Sequence, residues 1–308
     1  MSEPVDLFRM AAAAVQSIVD TEPDPRAETP CVEWNYAQLL GHLVGGDRLF
    51  LRILTAPTGP PPPAPQTRPR LAPDPDQPPP SPQDYRDATE RLVAAFSDPQ
   101  ILAGTYDVPV GRLPGYHVVL LRSVEHLLHG WDLARSGGVS TAALEPVAEL
   151  LAEPAQRLAT EVGDRRLAER RPFAPPVSVD DGADPLTRFV ASFGRDPAWL
   201  PDPVAGYQRV KERFEGHDDV ELPDGTRRGF GADGMRVRGS VFAASHRGRM
   251  MIKLPETEVS ELVGAGLGLP LSKPGQRPHR EWVLVPFDGA AGRRAERAYV
   301  FVRRSSPA

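Results

Sequence analysis

The chain of 308 residues is longer than one hydrophobic core usually supports, so two domains are expected. Hydrophobic residues make up 40% and charged residues 25%, the balance of a globular protein, and no run of about 18 apolar residues exists to cross a membrane. The net charge of −5 is uneven: residues 205–308 hold 18 Lys and Arg against 13 Asp and Glu, a net of +5, which leaves −10 for residues 1–204.

The opening MSEPVDLFRM has no basic start followed by an apolar core, so no signal peptide is expected and the cytoplasm is the expected location. Cys31 is the only cysteine. That excludes an intramolecular disulfide and rules out a cysteine-based zinc site within one chain. Its expected role is that of a small buried hydrophobe rather than a nucleophile.

Residues 5–20 read as a helix, with Val5, Phe8, Ala12, Val15 and Val19 at helical spacing. Three prolines in TEPDPRAETP break it. Residues 34–54 form a second helix with Trp34, Leu39, Leu43, Phe50 and Leu54 on its apolar side. Its Gly45-Gly46 pair is unfavourable by roughly 1 kcal/mol per glycine and points to close packing or a local bend. Residues 57–82 hold 13 prolines, a density that no regular helix or sheet survives, and an extended excursion is expected there. Helices follow at 83–97, 115–136, 142–163 and 184–194, with DVPVGRLPG as a short irregular or strand-like link and GRDPAWLPDP at 194–203 as the linker between domains. Beyond 204 the pattern changes to three short antiparallel strands over 235–254, with turns at Arg238-Gly239 and His246-Arg247-Gly248. A helix at 256–265, a strand at 281–286 and a helix at 290–303 complete a small α+β domain.

Glu125 and His129 lie four apart and so share one helix face, as does Arg122 one turn earlier. Such a pair grips one ion without rearranging the backbone, and His42 on the second helix is placed to add a third ligand from a facing helix. Three N and O ligands leave a coordination position open for water or substrate. Spacing alone favours Glu125 and His129 as a hydrogen-bonded surface pair, with His42 a satisfied core histidine. His126, about 100° round the helix from Glu125, competes as a ligand, and Asp132 is placed to orient an imidazole.

The segments TPCVEWNYAQLLGHLVGGDRLF, EHLLHGWDLARSGG and FGRDPAW, in that order, resemble the metal-binding N-terminal domain of mycothiol-dependent maleylpyruvate isomerases and their actinobacterial relatives. The resemblance spans roughly residues 5–200 and implies an all-α DinB-like four-helix bundle over 1–200. It also implies a divalent metal, zinc first, on His42, Glu125 and His129, with mycothiol as a thiol cofactor. Arg122 and Asp132 would then steer charge near the ion. Residues 205–308, through FGADGMRVRGSVFAASHRGRMMIKLP and EWVLVP, resemble YjbR/MmcQ and TfoX N-terminal-like domains, an α+β fold with an antiparallel sheet. The isomerases carry instead a sterol-carrier-like C-terminal domain that contributes to their active site. The departure bears on maleylpyruvate isomerisation and leaves the metal site standing.

Two functions are therefore expected to compete. One is a thiol-dependent, metal-assisted transferase or isomerase of small electrophiles. The other is a non-catalytic, metal-stabilised protein whose C-terminal domain binds a partner or nucleic acid. For the second, Arg236, Arg238, Arg247, Arg249 and Lys253 are expected to cluster on the strands, with Arg236 and Arg238 on one face.

Overall fold

The computed structural model describes residues 4–32, 34–56, 78–164, 174–224, 233–272 and 276–305, which fall into two compact units. Most of the proline-rich segment lies outside these residues. The first unit comprises 1–25, 29–134 and 141–199. Its helices are α1 (Pro4–Val19), α2 (Tyr36–Thr55), α3 (Pro82–Phe96), the short α4 (Pro99–Ala103), α5 (Gly115–Gly137), α6 (Glu145–Asp164) and α7 (Pro185–Ser192). DVPVGRLPG is not irregular. It forms most of a hairpin of β1 (Thr105–Val108) and β2 (Gly111–Pro114).

The proline-rich composition does more than break helices. Pro82, Pro99 and Pro185 each occupy a first helical position, behind Ser81, Asp98 and Asp184, whose side chains accept hydrogen bonds from the first-turn amides. Proline loses nothing at that position because its missing N–H would be unpaired there anyway. Each cap contributes about 1 kcal/mol. Asn35 caps α2 without proline, through a reciprocal pair: Gln38 N–H donates to Asn35, and Asn35 N–H donates to the Gln38 side chain.

Helix α3 packs on α1 and α2. Phe8, Val15, Leu39, Leu43, Leu92, Phe96, Val124 and Leu127 are almost wholly buried and form the shared core. Each such side chain contributes roughly 1.5–3 kcal/mol. Helix α5 is the central element. From Val118 to Ala134 every residue is buried except Glu125, which keeps partial access to solvent. A helix buried on nearly all sides must pair its polar groups within the protein, and in this stretch α5 carries Arg122, Ser123, Glu125, His126, His129 and Asp132 besides the Trp131 indole.

The second unit comprises 26–28, 135–140 and 200–308. Its six-stranded antiparallel sheet has the order β3-β4-β5-β6-β8-β7, with β3 (Val220–Glu221), β4 (Gly234–Val237), β5 (Ser240–His246), β6 (Arg249–Lys253), β7 (Leu269–Pro270) and β8 (Trp282–Val285). The helices are α8 (Pro203–Glu212), α9 (Glu256–Gly264) and α10 (Ala291–Ser305). Ala291, Ala295, Ala298 and Val302 line one side of α10 and enter a core with Phe214, Met235, Phe242, Ile252, Val283 and Val285. Helix α8 begins inside the stretch expected to be a linker, again as an Asp-Pro start at Asp202-Pro203.

The two Arg-Gly turns adopt positive φ at both residues, +50° and +73° at Arg238-Gly239 and +50° and +76° at Arg247-Gly248. This is the geometry of tight two-residue hairpins. It also corrects the basic cluster. Arg238 sits in a turn rather than beside Arg236 on a strand face, and Arg238 and Arg247 lie at opposite ends of β5. Lys253 pairs with Glu281 at 3.4 Å. The five basic residues therefore do not form one patch.

Candidate metal centre

Three side chains from α2 and α5 converge. Glu125 Oε2 lies 3.4 Å from His42 Nε2 and 3.4 Å from His129 Nε2. The two imidazole rings are 4.9 Å apart and nearly perpendicular, so both aim an Nε2 at the same carboxylate oxygen. One donor atom from each residue lies within 4.8 Å of the others, which makes the trio a possible ligand set. The imidazoles are buried, while the Glu125 side chain keeps 23% of its surface accessible, so the cluster opens to solvent on the carboxylate side. Trp34, at the entry to α2, stacks on His42 with 4.5 Å between ring centroids. It lies 6.3 Å from the His129 ring.

The loop before α2 is built by Thr29. Its buried hydroxyl accepts from the Cys31 amide at 3.1 Å and donates to the Trp34 carbonyl at 2.7 Å. That turn delivers both Trp34 and Cys31 to the site. Cys31 Sγ lies 3.2 Å from Asp132 Oδ2 and 3.9 Å from His129 Nδ1. Cys31, His129 and Asp132 thus form a second group of metal-ligand character. The exclusion drawn from a lone cysteine holds only for sites built from several cysteines, and Cys31 is only partly buried, among polar partners, rather than an inert core thiol.

Asp132 Oδ2 lies 3.0 Å from His129 Nδ1. Arg122 goes elsewhere. It is almost completely buried, with Nη2 2.8 Å and Nε 3.2 Å from Asp47 Oδ1. Asp47 Oδ1 also meets His126 Nε2 at 3.0 Å, and His126 Nδ1 meets the Tyr85 hydroxyl at 2.7 Å. His126, weighed above as a rival ligand, therefore belongs to a separate buried network joining α2, α3 and α5. Gly46 lets that network pack closely: a Cβ there would stand 3.0 Å from the Arg122 guanidinium.

The charges follow from these contacts. Burial pushes the Glu125 carboxyl up, but hydrogen bonds to His129 and His42 outweigh it and hold its pKa well below the usual carboxylate range. Burial opposes charge on His129, yet its hydrogen bonds to Asp132, Cys31 and Glu125 hold it well above the ordinary imidazole value. His42 is lowered, chiefly by burial. Asp132 is lowered against its burial by His129 and Arg195. These shifts favour charge on His129 between the Glu125 and Asp132 carboxylates.

Spacing gives Arg195, Asp47 and Tyr85 no place in the site, and Trp34 only one on the apolar side of the second helix. FGRDPAW contains Arg195, but nothing local in that motif points to residue 132 as its partner.

A helical unit with a buried His/Glu/His cluster open on one side defines a class, and sequence comparison gives the family. Residues 8–134 match the mycothiol maleylpyruvate isomerase N-terminal domain. Two uncharacterized proteins, from two strains of Mycobacterium tuberculosis, are each 30% identical to the chain over 172 residues, which is 54% of this chain and 82% of the relative. The chain belongs to this family. No solved structure matches it.

Proposed function

We propose that the helical unit binds one divalent metal ion, zinc in the first instance, through His42, Glu125 and His129. We propose further that it uses the ion to activate a small thiol, mycothiol, for transfer to or isomerisation of a small electrophile. The observation that carries the reading is the common focus of the two Nε2 atoms on Glu125 Oε2, 3.4 Å from each. Zinc bonds of about 2.0–2.1 Å in tetrahedral array put neighbouring donors about 3.3 Å apart, which the two His–Glu separations match, and all three donors lie within 4.8 Å of one another. When bound, the ion would lower the pKa of a thiol in its open position and supply a thiolate near neutral pH.

The chain's own residues do the rest. Glu125 offsets one unit of the ion's charge and reaches toward solvent. His42 is held against Trp34, and His129 is turned by Asp132, so neither ring is free to rotate away. The same helices and donor set support a DinB-like four-helix arrangement. The hairpins β4-β5-β6 with β8 support a YjbR/MmcQ-like module in the second unit, read as a binding element.

Elemental analysis of purified wild type beside His129→Ala tests the ion. The wild type is expected to carry it, and the variant is expected to lose most of it while keeping its helical circular-dichroism signal. A thiol-consumption assay with mycothiol and a panel of small electrophiles tests the chemistry. Unchanged metal in the variant would remove the ligand set. A metal-loaded protein inert in the assay would leave a metal-stabilised binding protein.

A further inference from the structure

His129 faces two donor groups, one at each ring nitrogen. Nε2 joins His42 and Glu125, while Nδ1 joins Cys31 and Asp132. A neutral imidazole has one lone pair to give, because the other nitrogen carries the proton. The two groups therefore compete for one ring, and something must decide between them.

Arg195 stands at the point of decision. Its Nη2 is 3.0 Å from Asp132 Oδ2 and its Nε 3.3 Å from Oδ1, a fork on both oxygens. The same Nη2 lies 3.5 Å from Cys31 Sγ. The Arg195 side chain is only 14% exposed, so its charge is poorly screened. Its placement is built into the end of α7: Gly194, at φ +81°, donates its N–H to Ala191, and Arg195 N–H donates to Val190. This is the paired termination that a left-handed glycine permits. A Cβ at Gly194 would meet Ala174 at 2.5 Å, which further ties this position to glycine. Arg195 lies outside the residues 8–134 matched by the family.

We propose that Arg195 is a positioning residue that acts through Asp132 on His129, directing an ion to the His42–Glu125–His129 group and keeping the Cys31–Asp132 group free of metal. The proposal rests on the metal-site reading above. The guanidinium already supplies the cation that Cys31 and Asp132 would otherwise take from a metal. It also fixes Asp132 as an acceptor for the Nδ1 proton, which leaves the lone pair on Nε2.

Cobalt(II) titration of the full chain separates the possibilities, because cobalt reports both affinity and the presence of a thiolate ligand through its charge-transfer band. Wild type is expected to bind one cobalt without a thiolate band. Arg195→Met is expected to bind roughly 10- to 100-fold more weakly at the first group and to acquire a thiolate band that Cys31→Ser in the same background abolishes. A thiolate band in the wild type, or wild-type affinity and spectrum in Arg195→Met, would overturn the proposal. A fall in affinity without the band would overturn the selection between groups and leave only the positioning role. If Arg195→Met does not fold, Arg195→Lys keeps the charge and loses the fork, and wild-type affinity there would be equally fatal. No cobalt bound to a folded wild type would instead sink the metal-site reading itself.

Discussion

The rings of His42 and His129 lie 4.9 Å apart at an interplanar angle of 80°, although one comes from α2 and the other from α5. Edge-to-face approach of two imidazoles leaves both Nε2 atoms free to meet at Glu125 rather than at each other. The pairing is a property of how two helices pack, and the consequences below depend on that packing.

Glu125→Gln removes the carboxylate and keeps its shape. The ion affinity is expected to fall by more than about 100-fold, beyond the range seen when only an outer hydrogen-bond partner is removed. Competition with a chromophoric chelator measures it. Wild-type affinity in the variant would exclude Glu125 as a ligand.

Ion affinity is expected to rise with pH. The ion must displace the proton that Asp132, Cys31 and Glu125 help to hold on His129, so binding releases protons until pH passes the raised His129 value. Stability of the ion-free protein runs the other way for this group. The raised His129 contributes fully below its unfolded value of about 6.5 and loses that contribution as pH climbs through its folded value. Glu125, held low, contributes above its unfolded value of about 4.3 and loses that as pH falls through its folded value. Calorimetry in two buffers of different ionisation heat counts the protons. Binding near neutral pH with no proton released would contradict the account.

Asp47→Ala leaves Arg122 charged and buried without its partner, and is expected to cost roughly 3–5 kcal/mol in denaturant unfolding. Replacing both residues together, Asp47→Leu with Arg122→Met, is expected to recover most of that loss. A double variant as unstable as the single one would show that the pair is needed for more than mutual neutralisation.

Gly130, next to His129, faces α1. An added Cβ would stand 2.5 Å from Val15 Cγ2 and 3.3 Å from Leu144 Cδ2. Gly130→Ala gains about 1 kcal/mol of helix propensity, but the clash is expected to outweigh it and lower stability by roughly 1–2 kcal/mol net. A thermal melt decides the sign.

Local periodicity makes helices α1, α2, α3, α5, α6, α7, α9 and α10, the central hairpins and the Glu125–His129 pair legible, since i, i+4 on a helix is a contact that the chain makes with itself; it misses α4 and α8. Proline density by itself signals disruption, although four Ser-Pro or Asp-Pro pairs start helices α3, α4, α7 and α8. The five basic residues between 236 and 253 suggest one cluster in the sequence, and the turns at Arg238 and Arg247 place two of them at opposite ends of one strand.

What the chain determined by itself is short-range: which residues are helical, which face carries Glu125 and His129, and where two-residue turns fall. Only the tertiary structure decided that Arg122 and His126 turn to Asp47 while Cys31 and Arg195 meet Asp132. Those partners stand far apart in sequence, and no local period records them. They are set by burial, because a charged group on a helix closed off from water must find its counter-charge wherever packing brings one.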